Sequence, residues 1–295
     1  MIYFCSRLRL GRSAYFRKDN AAPARKRFLN TLDMLSKPRL THLRSLRQKK
    51  FRMEHGLFVA EGEKLVLELL DSEFVVVTVY ATKEWLKKNA KAIRKAGETL
   101  EITEDDLSRI SSLVTPQQVL AVARIPKYEL DTDYVLKNYS LLLDGIRDPG
   151  NLGTIIRIAD WFGIHHIICS PDCAEVWNPK VVQASMGSLL RVRVHEMEPS
   201  VFFNNLKKSA LENKIQFPWV YGTFMSGETI YRTKFEGSGI IVIGNEANGI
   251  RPETEKYITQ KITIPSTAGP DPEARPESLN AAIATAIVCS EIRRT

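Results

Sequence analysis

The alternation of apolar and polar positions divides the chain into two regions in which strands alternate with helices. In residues 34–125, apolar runs predict strands at 58–62, 75–80, 100–102 and 119–125. Helical spacing predicts a basic helix within 36–54 and a Lys-rich helix at 83–96. We expect the latter to end at Gly97, which would act as a C-terminal cap. The pattern predicts a smaller α/β domain over residues 34–125.

From residue 141 onwards most of the predicted strands are largely apolar, the clearest being 141–144 and 240–243. We expect strands at 141–144, 167–169, 191–194, 219–222, 240–243 and 262–264, and helices at 152–162, 179–187, 200–213, 252–257 and 278–293. Uniformly apolar strands are typical of parallel sheets that are buried on both faces. Residues 141–295 are therefore predicted to form an α/β domain with a mostly parallel sheet covered by helices.

Two segments lie outside these predicted domains. Residues 126–140 are polar and without periodicity, and we interpret them as a linker. Residues 1–33 are rich in Arg, poor in acids and without sustained periodicity. We interpret them as a disordered leader, and the alternative is an organelle transit peptide, which has a similar composition.

The charge is unevenly distributed along the chain. The net charge of +8 divides into +6 for residues 1–33, +4 for 34–125 and −2 for 126–295. A basic N-terminal part and a nearly neutral C-terminal part suggest that one region binds a polyanion and another carries out the chemistry. The alternative is that the Lys-rich helices are simply solvated. The candidate phosphate-binding residues are Arg39, Arg44, Arg47, Lys49, Lys50 and Arg52.

Other classes of protein are disfavoured by what the sequence lacks. No run approaches the roughly 20 consecutive apolar residues of a membrane span. The four cysteines (Cys5, Cys169, Cys173 and Cys289) form neither a CxxC pair nor a His/Cys cluster. We therefore expect no metal site and no disulfide framework, and we interpret the thiols as buried or incidental.

The first candidate motif, at 144–157, reads DGIRDPGNLGTIIR and joins a predicted strand to the next helix. Open α/β sheets bind their ligands at this kind of junction. Asn151 fits the N-cap of the helix, and the glycines allow close approach of the backbone. Arg157 lies among apolar residues, where a guanidinium needs an anion, either a ligand or a neighbouring acid.

The second candidate motif, at 240–250, reads IIVIGNEANGI, so that four β-branched residues lead directly into a turn with glycines. The G-x-G-x-x-G fingerprint and the Walker lysine are both absent. This absence argues against ordinary dinucleotide or nucleoside triphosphate binding.

The third candidate motif begins with ITIP at 262–265 and continues after a proline-rich loop with ESLN at 277–280. Ser278 fits the N-cap of the last helix. Leu279, Ile283 and Ile287 have the spacing of the buried face of that helix.

Together the three motifs resemble the SpoU (TrmH-type) methyltransferases, a branch of the SPOUT superfamily. The matching residues are Asn151, Gly153, Arg157, Gly244, Glu246, Gly249, Ile264, Pro265, Ser278, Leu279 and Asn280. The resemblance covers 141–295 and extends more weakly over 34–125, through 58–62 and 115–117. It departs from the family pattern at Ser266 (usually Met), at the long loop 267–276 and at Gln118 (commonly Gly).

The resemblance implies an activity and an architecture. The activity is transfer of a methyl group from S-adenosyl-L-methionine to a ribose 2′-hydroxyl of RNA, with no metal. The architecture is a SPOUT domain in which the last segment threads a loop to form a trefoil knot. A smaller N-terminal α/β domain, ribosomal protein L30e-like, binds the substrate. It also implies a homodimer whose active site lies near the subunit interface.

Roles for individual residues also come from the resemblance. Arg157 lies at the reacting hydroxyl, either as a base or as a stabiliser of the developing alkoxide. The polar residues that arrange RNA and cofactor around it are Asn151, Glu246, Ser278 and Asn280. Backbone groups at Thr223, Gly244, Ile264 and Leu279 line the adenosine pocket.

Alternatives remain for the substrate and for the class of protein. The two-domain chain resembles the ribosomal-RNA enzymes of the family more than the short single-domain transfer-RNA ones, which favours ribosomal RNA as the substrate. A nonenzymatic RNA-binding protein of the same fold would have no reason to keep the five polar residues assigned to chemistry. Methylation of a base nitrogen is disfavoured by the pair Asn151 and Arg157. We expect a cytoplasmic location, or a mitochondrial one if residues 1–33 are a transit peptide.

Overall fold

The first sheet is mixed and has the strand order β1-β4-β2-β3. The computed structural model describes residues 35–266 and 278–294, so the predicted leader at 1–33 and the loop at 267–276 lie outside the described residues. The strands are β1 (Leu57–Glu61), β2 (Val76–Ala81), β3 (Glu98–Glu101) and β4 (Val119–Arg124). β4 is antiparallel to β1 and β2, and β3 is parallel to β2.

Five α-helices accompany this sheet within the described residues: α1 (Lys37–Ser45), α2 (Lys49–His55), α3 (Glu63–Asp71), α4 (Lys83–Lys88) and α5 (Glu104–Ile110). We call residues 37–124 the first domain. The predicted basic helix is two helices, α1 and α2. The predicted helix at 83–96 ends at Lys88 and is followed by a 3-10 turn at Ala92–Lys95. Gly97 does not cap the predicted helix, because α4 ends at Lys88 with Asn89 as its C-cap and the N–H of Gly97 donates to the carbonyl oxygen of Val76.

The second sheet is parallel throughout its described strands, as the sequence predicted, and has the order β10-β8-β9-β5-β6-β7. Its strands are β5 (Tyr139–Asp144), β6 (His166–Cys169), β7 (Arg193–Glu196), β8 (Trp219–Thr229), β9 (Gly239–Gly244) and β10 (Gln260–Thr263). The helices are α6 (Thr132–Lys137), α7 (Pro149–Trp161), α8 (Pro179–Ala184), α9 (Pro199–Glu212), α10 (Pro252–Glu255) and α11 (Ala281–Ile292). α6 lies within the predicted linker. We call residues 139–294 the second domain.

Both faces of the second sheet are buried. Leu141 and Leu143 of β5 belong to the core that includes α7, α8 and α11. Leu142, between them, belongs to a second core with α6 and α9. Alternate side chains of a strand point to opposite faces, so a strand covered on both sides must be apolar at every position. Because the strands are parallel, their carboxyl ends all lie at one edge of the sheet.

Helices α7 and α11 lie side by side and run in the same direction. At their N-terminal ends, Asn280 Nδ2 donates a hydrogen bond of 2.9 Å to Asn151 Oδ1. At their C-terminal ends, Arg293 Nε donates one of 2.9 Å to the carbonyl oxygen of Phe162. The N-caps are not those predicted: Asp148 rather than Asn151 caps α7, and Asn280 rather than Ser278 caps α11.

The inward face of α11 also differs from the prediction. Leu279, just before the helix, and Ile283 within it are 46% and 53% exposed, whereas Thr285, Val288 and Cys289 are buried. α11 is apolar around most of its circumference, so spacing alone could not tell its inward face from its outward one.

A buried ion pair joins the two domains. The guanidinium of Arg52, in α2, donates to Glu175 Oε2 through Nε (3.1 Å) and through Nη2, and to the carbonyl oxygen of Leu46 through Nη1 (2.8 Å). The side chains of Arg52 and Glu175 are only 2% and 8% exposed. Next to the pair in sequence, Trp177 packs on Phe58 of β1, with ring centroids 4.7 Å apart. The first domain is thus docked on the second through buried contacts.

Candidate active site

Four polar residues from the three motifs meet at the carboxyl ends of the strands. Asn151 Nδ2 donates a short hydrogen bond to Glu246 Oε1, while Asn151 Oδ1 accepts the bond from Asn280. Ser278 Oγ donates to the backbone oxygen of Glu246 at 3.2 Å. Asn151 therefore connects a carboxylate in the loop after β9 with the cap residue of α11. The resulting cluster of amide, carboxylate and hydroxyl groups is suited to orient a polar ligand.

A second ion pair holds the loops of this cluster in place. Asp144, at the end of β5, is completely buried, and its carboxylate accepts from the backbone N–H of Arg251 (2.9 Å) and from its Nε (2.7 Å). Asn245 Nδ2 also donates to the carbonyl oxygen of Gly145 at 2.9 Å. A buried carboxylate requires such partners. Sequence reasoning missed this pair, although an aspartate that ends a fully apolar strand was a usable signal.

Arg157 lies outside the cluster. It projects from the exposed face of α7, between Thr154 and Trp161, six residues beyond Asn151. Among the described residues its guanidinium has neither an ion pair nor a hydrogen bond, so the alternative of a salt bridge to a neighbouring acid is not observed. The side chain is free to meet a ligand that approaches this face.

The four residues predicted to line a cofactor pocket contribute in different ways. Thr223 and Ile264 are half-buried, and Leu279 is exposed. The Thr223 hydroxyl donates to the carbonyl oxygen of Val242 at 3.1 Å. Gly244 is packed against the chain itself, since a Cβ there would lie 2.4 Å from the carbonyl carbon of Gly249.

The predicted phosphate-binding set requires correction at Arg52. This residue is 1% exposed and its guanidinium is satisfied by Glu175 and Leu46, so it cannot reach a phosphate. The reason is tertiary: Glu175 lies 123 residues away in sequence. The spacing of residues within α2 does not indicate this contact with Glu175.

The other five candidate phosphate-binding residues differ in how many contacts they already make within the protein. Arg39 pairs with Glu98 at 3.0 Å, and Arg44 donates to the carbonyl oxygen of Arg109. Arg47 donates to the carbonyl oxygens of Ile110 and Ser111. Lys49 and Lys50 are exposed, with only a 3.9 Å contact from Lys49 to Glu196 and a cation–π contact from Lys50 to Phe51. The two lysines are the members of the set best able to bind a polyanion.

Two family descriptions match the chain and together span most of it. The SpoU rRNA Methylase family matches residues 138–290, and the MRM3-like substrate binding domain matches residues 37–121. The first match covers the second sheet and all three motifs. The second covers nearly all of the first domain.

Relatives align over most of the chain. The 23S rRNA (guanosine(2553)-2′-O)-methyltransferase of Bacillus subtilis is 29% identical over 255 residues, which are 85% of this chain and 94% of that protein. The mitochondrial rRNA methyltransferase 3 of Xenopus laevis is 26% identical over an alignment that covers 95% of this chain and 76% of that protein.

Solved structures also share the fold. A putative RNA methyltransferase of the TrmH family from Porphyromonas gingivalis superposes with a TM-score of 0.77 and 39% identity, covering 89% of this chain and 99% of that one. An rRNA methyltransferase from Sinorhizobium meliloti, solved with AdoMet bound, gives a TM-score of 0.76 and 29% identity, covering 89% and 97% of the two chains.

Proposed function

Since the chain belongs to the SpoU rRNA methylase family, we propose that it transfers a methyl group from S-adenosylmethionine to a ribose 2′-hydroxyl of ribosomal RNA. The observation that carries the proposal is the cluster of Asn151, Glu246 and Asn280. It brings together the three motifs on which the resemblance rests, at the edge of the sheet where ligands bind. The relative from Bacillus subtilis is named as a 23S rRNA 2′-O-methyltransferase.

The residues at this edge fit S-adenosylmethionine. Ile264 and Leu279 offer partly exposed apolar surface to a flat adenine. Thr223 directly follows Gly222, the last residue of β8 that pairs with β9. The Glu246 carboxylate suits a cationic sulfonium nearby. When bound, this cofactor supplies a methyl group that is already activated. The relative from Sinorhizobium meliloti was solved with AdoMet bound.

Arg157 stabilises the oxyanion that develops on the ribose. A hydroxyl is a poor nucleophile near neutral pH, and a guanidinium keeps its proton there, so it acts as a cation rather than as a base. The unpaired, exposed guanidinium of Arg157 meets that requirement. Asn151, Glu246, Ser278 and Asn280 orient the reactants, because correct orientation removes much of the entropic barrier. The hydroxyl proton passes to the adjacent phosphate or to water.

The protein acts as a homodimer. The outward faces of α7 and α11 adjoin each other, and they expose Trp161 (84%), Ile283 (53%) and, just before α11, Leu279 (46%). Exposed large apolar side chains along two adjoining helices are typical of an interaction surface. A second copy of this chain bound to that surface would place its own side chains beside Arg157. Dimerisation therefore completes the surroundings of the reacting hydroxyl.

The chain is knotted around the cofactor site. After the edge strand β10, the chain returns to pack α11 on α7 and β9, two strands further into the sheet. This return path supports the trefoil knot that the family resemblance implies. The first domain has the role of an L30e-like substrate-binding domain, which agrees with the MRM3-like match over 37–121.

We place the protein in the cytoplasm, with the mitochondrion as the alternative, because the relative from Xenopus laevis is a mitochondrial enzyme. Within the described residues, no helix is both long and apolar enough to cross a membrane. Fractionation of cells that express the tagged full-length chain decides between the two compartments.

The Arg157→Ala variant tests the proposed chemistry. We expect kcat for methyl transfer from labelled S-adenosylmethionine to unmodified ribosomal RNA to fall at least about 100-fold, the lower range for loss of one group that stabilises an oxyanion. Cofactor affinity by calorimetry and the melting temperature should not change, because the side chain is exposed and unpaired. Thr154→Ala, on the same face of α7, serves as the control.

Two results would contradict this proposal. An Arg157→Ala enzyme that keeps more than about a tenth of the wild-type kcat would remove Arg157 from the chemistry. A wild-type protein that binds ribosomal RNA and S-adenosylmethionine without transferring methyl would favour the nonenzymatic alternative. Transfer to transfer RNA alone would change the assigned substrate.

A further inference from the structure

A small cleft lies between the two domains, apart from the cofactor edge. It has a volume of about 150 Å³ and is lined from the first domain by Glu61, Gly62, Glu63, Lys64, Leu65 and Gln117, and from the second by Gln183 and Met186. Its walls are held by contacts between the domains. Glu68 of α3 pairs with Arg191 at 3.1 Å and packs against Gly187. The cleft is thus formed before any ligand arrives.

The acidic groups near the cleft are already engaged. The Glu61 carboxylate accepts from Ser111 Oγ (2.6 Å) and from the backbone N–H of Ser112 (2.9 Å). Glu63 accepts from Lys88 Nζ at 2.9 Å. Glu68, on the adjoining face of α3, is paired with Arg191. The charges of Glu63 and Glu68 are therefore balanced by cations, and the Glu61 carboxylate is buried and held by neutral donors.

Three other lining groups have no partner among the described residues: the ammonium of Lys64 and the side-chain amides of Gln117 and Gln183. Lys64 and Gln117 are exposed, and Gln183 is half-buried. Each amide offers two N–H donors and one acceptor oxygen. The cleft therefore presents one free cation and two groups that can both donate and accept.

Met186 adds an exposed apolar group in an unusual backbone conformation. Its φ is +51°, and its side chain is 44% exposed. A left-handed conformation at a residue other than glycine costs about 1–3 kcal/mol and is retained where the surroundings impose it. Gly187, with φ +90°, follows it. The thioether is thereby presented at the cleft, where its soft surface suits the face of an aromatic ring.

The cleft lies close to the reacting face of α7. The end of α8 abuts the first turns of α7, where a Cβ at Gly153 would lie 2.5 Å from the Cβ of Ala184. Met186 follows Ala184 by two residues. Arg157 lies four residues beyond Gly153, about 6 Å along the helix axis. Arg157 and the cleft therefore lie on neighbouring elements, α7 and the end of α8, so that one RNA chain can contact both.

We propose that this cleft receives one unstacked nucleotide of the RNA, next to the ribose that is methylated, and reads its base. This inference rests on the proposed function. Lys64 contacts a phosphate, Gln117 and Gln183 hydrogen-bond to the edge of the base, and Met186 packs on its face. Proteins read single-stranded RNA in this manner, through splayed bases held by stacking and by amide hydrogen bonds.

The test uses four fluorescent homopolymeric 12-mer oligoribonucleotides and anisotropy. For the full-length wild-type protein we expect the 12-mer of one base to bind about tenfold more tightly than the weakest-binding 12-mer. Good hydrogen bonds to a base give discrimination of this size. Gln117→Ala and Gln183→Ala should each reduce that ratio at least threefold while leaving cofactor affinity unchanged. Gln118→Ala, the exposed neighbouring amide that does not line the cleft, should keep it.

A second measurement does not depend on variants. Irradiation of the wild-type protein with a 4-thiouridine 12-mer should give crosslinked peptides that contain Gln117 or Met186. Absence of base preference in the wild type, an unchanged ratio in both glutamine variants, or crosslinks only elsewhere would each overturn the cleft proposal. Those results leave methyl transfer by the wild type intact, whereas loss of the proposed function would appear as no transfer at all.

Discussion

The backbone at Gly244 passes so close to the turn that follows β9 that no side chain fits there. A Cβ would lie 2.4 Å from the carbonyl carbon of Gly249 and 2.5 Å from the nitrogen of Ile250. Asn245 and Gly249 close the turn through reciprocal backbone hydrogen bonds of 3.0 and 2.8 Å. Gly244 therefore shapes the loop that carries Glu246.

The Gly244→Ala variant should be destabilised because the new methyl group must displace backbone. We expect a loss of about 1–3 kcal/mol in the free energy of unfolding, the usual effect of overpacking, measured by urea denaturation. Gly249→Asn is the control: Gly249 has a φ of +69° with open space around it, and asparagine tolerates that conformation. Equal stability of Gly244→Ala and wild type would refute the packing argument.

Single residues also show what sequence could and could not predict about the site. The grouping of Asn151, Glu246 and Asn280 was expected because their motifs lie at strand ends and resemble a known family. The Arg52 contact was not predicted, since nothing local to α2 indicates Glu175 as its partner. A pair that joins the two domains depends on how they dock, which periodicity does not encode.

At the level of elements, strands β6 and β7 bring two histidines together. His166 and His195 are 2% and 6% exposed, and Nδ1 of the first lies 3.1 Å from Nε2 of the second. Burial, with the neighbouring His195, lowers the pKa of His166 to about 4. Burial, with Arg193, lowers the pKa of His195 to about 4 as well. Both rings are neutral at pH 7, and one donates a hydrogen bond to the other.

This pair should make the fold sensitive to acid. The unfolded chain binds these protons near pH 6.5 and the folded chain only near pH 4, so stability is complete above pH 6.5 and falls between the two values. We expect a loss of up to about 2 kcal/mol per imidazole between pH 7 and pH 5. Urea midpoints of His195→Gln should fall less steeply over this range than those of wild type.

A control separates this pair from other titrating groups. His165→Gln, at the adjacent and less buried position, should keep the wild-type dependence on pH. If the His195→Gln and wild-type slopes were identical, the pair would not be the source of the acid sensitivity.

The elements also differ in how well the sequence predicted them. β5 and β9 were predicted because a strand covered on both faces is apolar at every position. β8 was predicted to end at Gly222 but continues to Thr229, because its second half pairs with β10 across a register shift. A strand pairing of that kind is set by the tertiary fold and not by the local sequence. The short helix α6 was missed for a similar reason, since its apolar residues Val135 and Leu136 pack on α9 and β9.

For the whole molecule, the exposed faces of α7 and α11 should decide the oligomeric state. Trp161→Glu places a charge in the proposed dimer interface, where truncation of an aromatic hot-spot residue costs about 2 kcal/mol or more. We expect the dimer dissociation constant to rise at least about 30-fold, measured by sedimentation velocity. Leu211→Glu, equally exposed on α9 across the sheet, should dimerise like wild type. A monomeric wild type would refute the interface.

The Arg52–Glu175 pair also constrains how the sequence can change over evolutionary time. Removal of either partner leaves a buried charge uncompensated, at a cost of about 3–5 kcal/mol, whereas replacement of both by well-packed apolar residues can be neutral. Single substitutions at these two positions are therefore selected against, although a joint change is tolerated. Across descendants of this chain the two positions should be inherited as a unit, and a chimera that exchanges one domain must exchange the matching residue of the other.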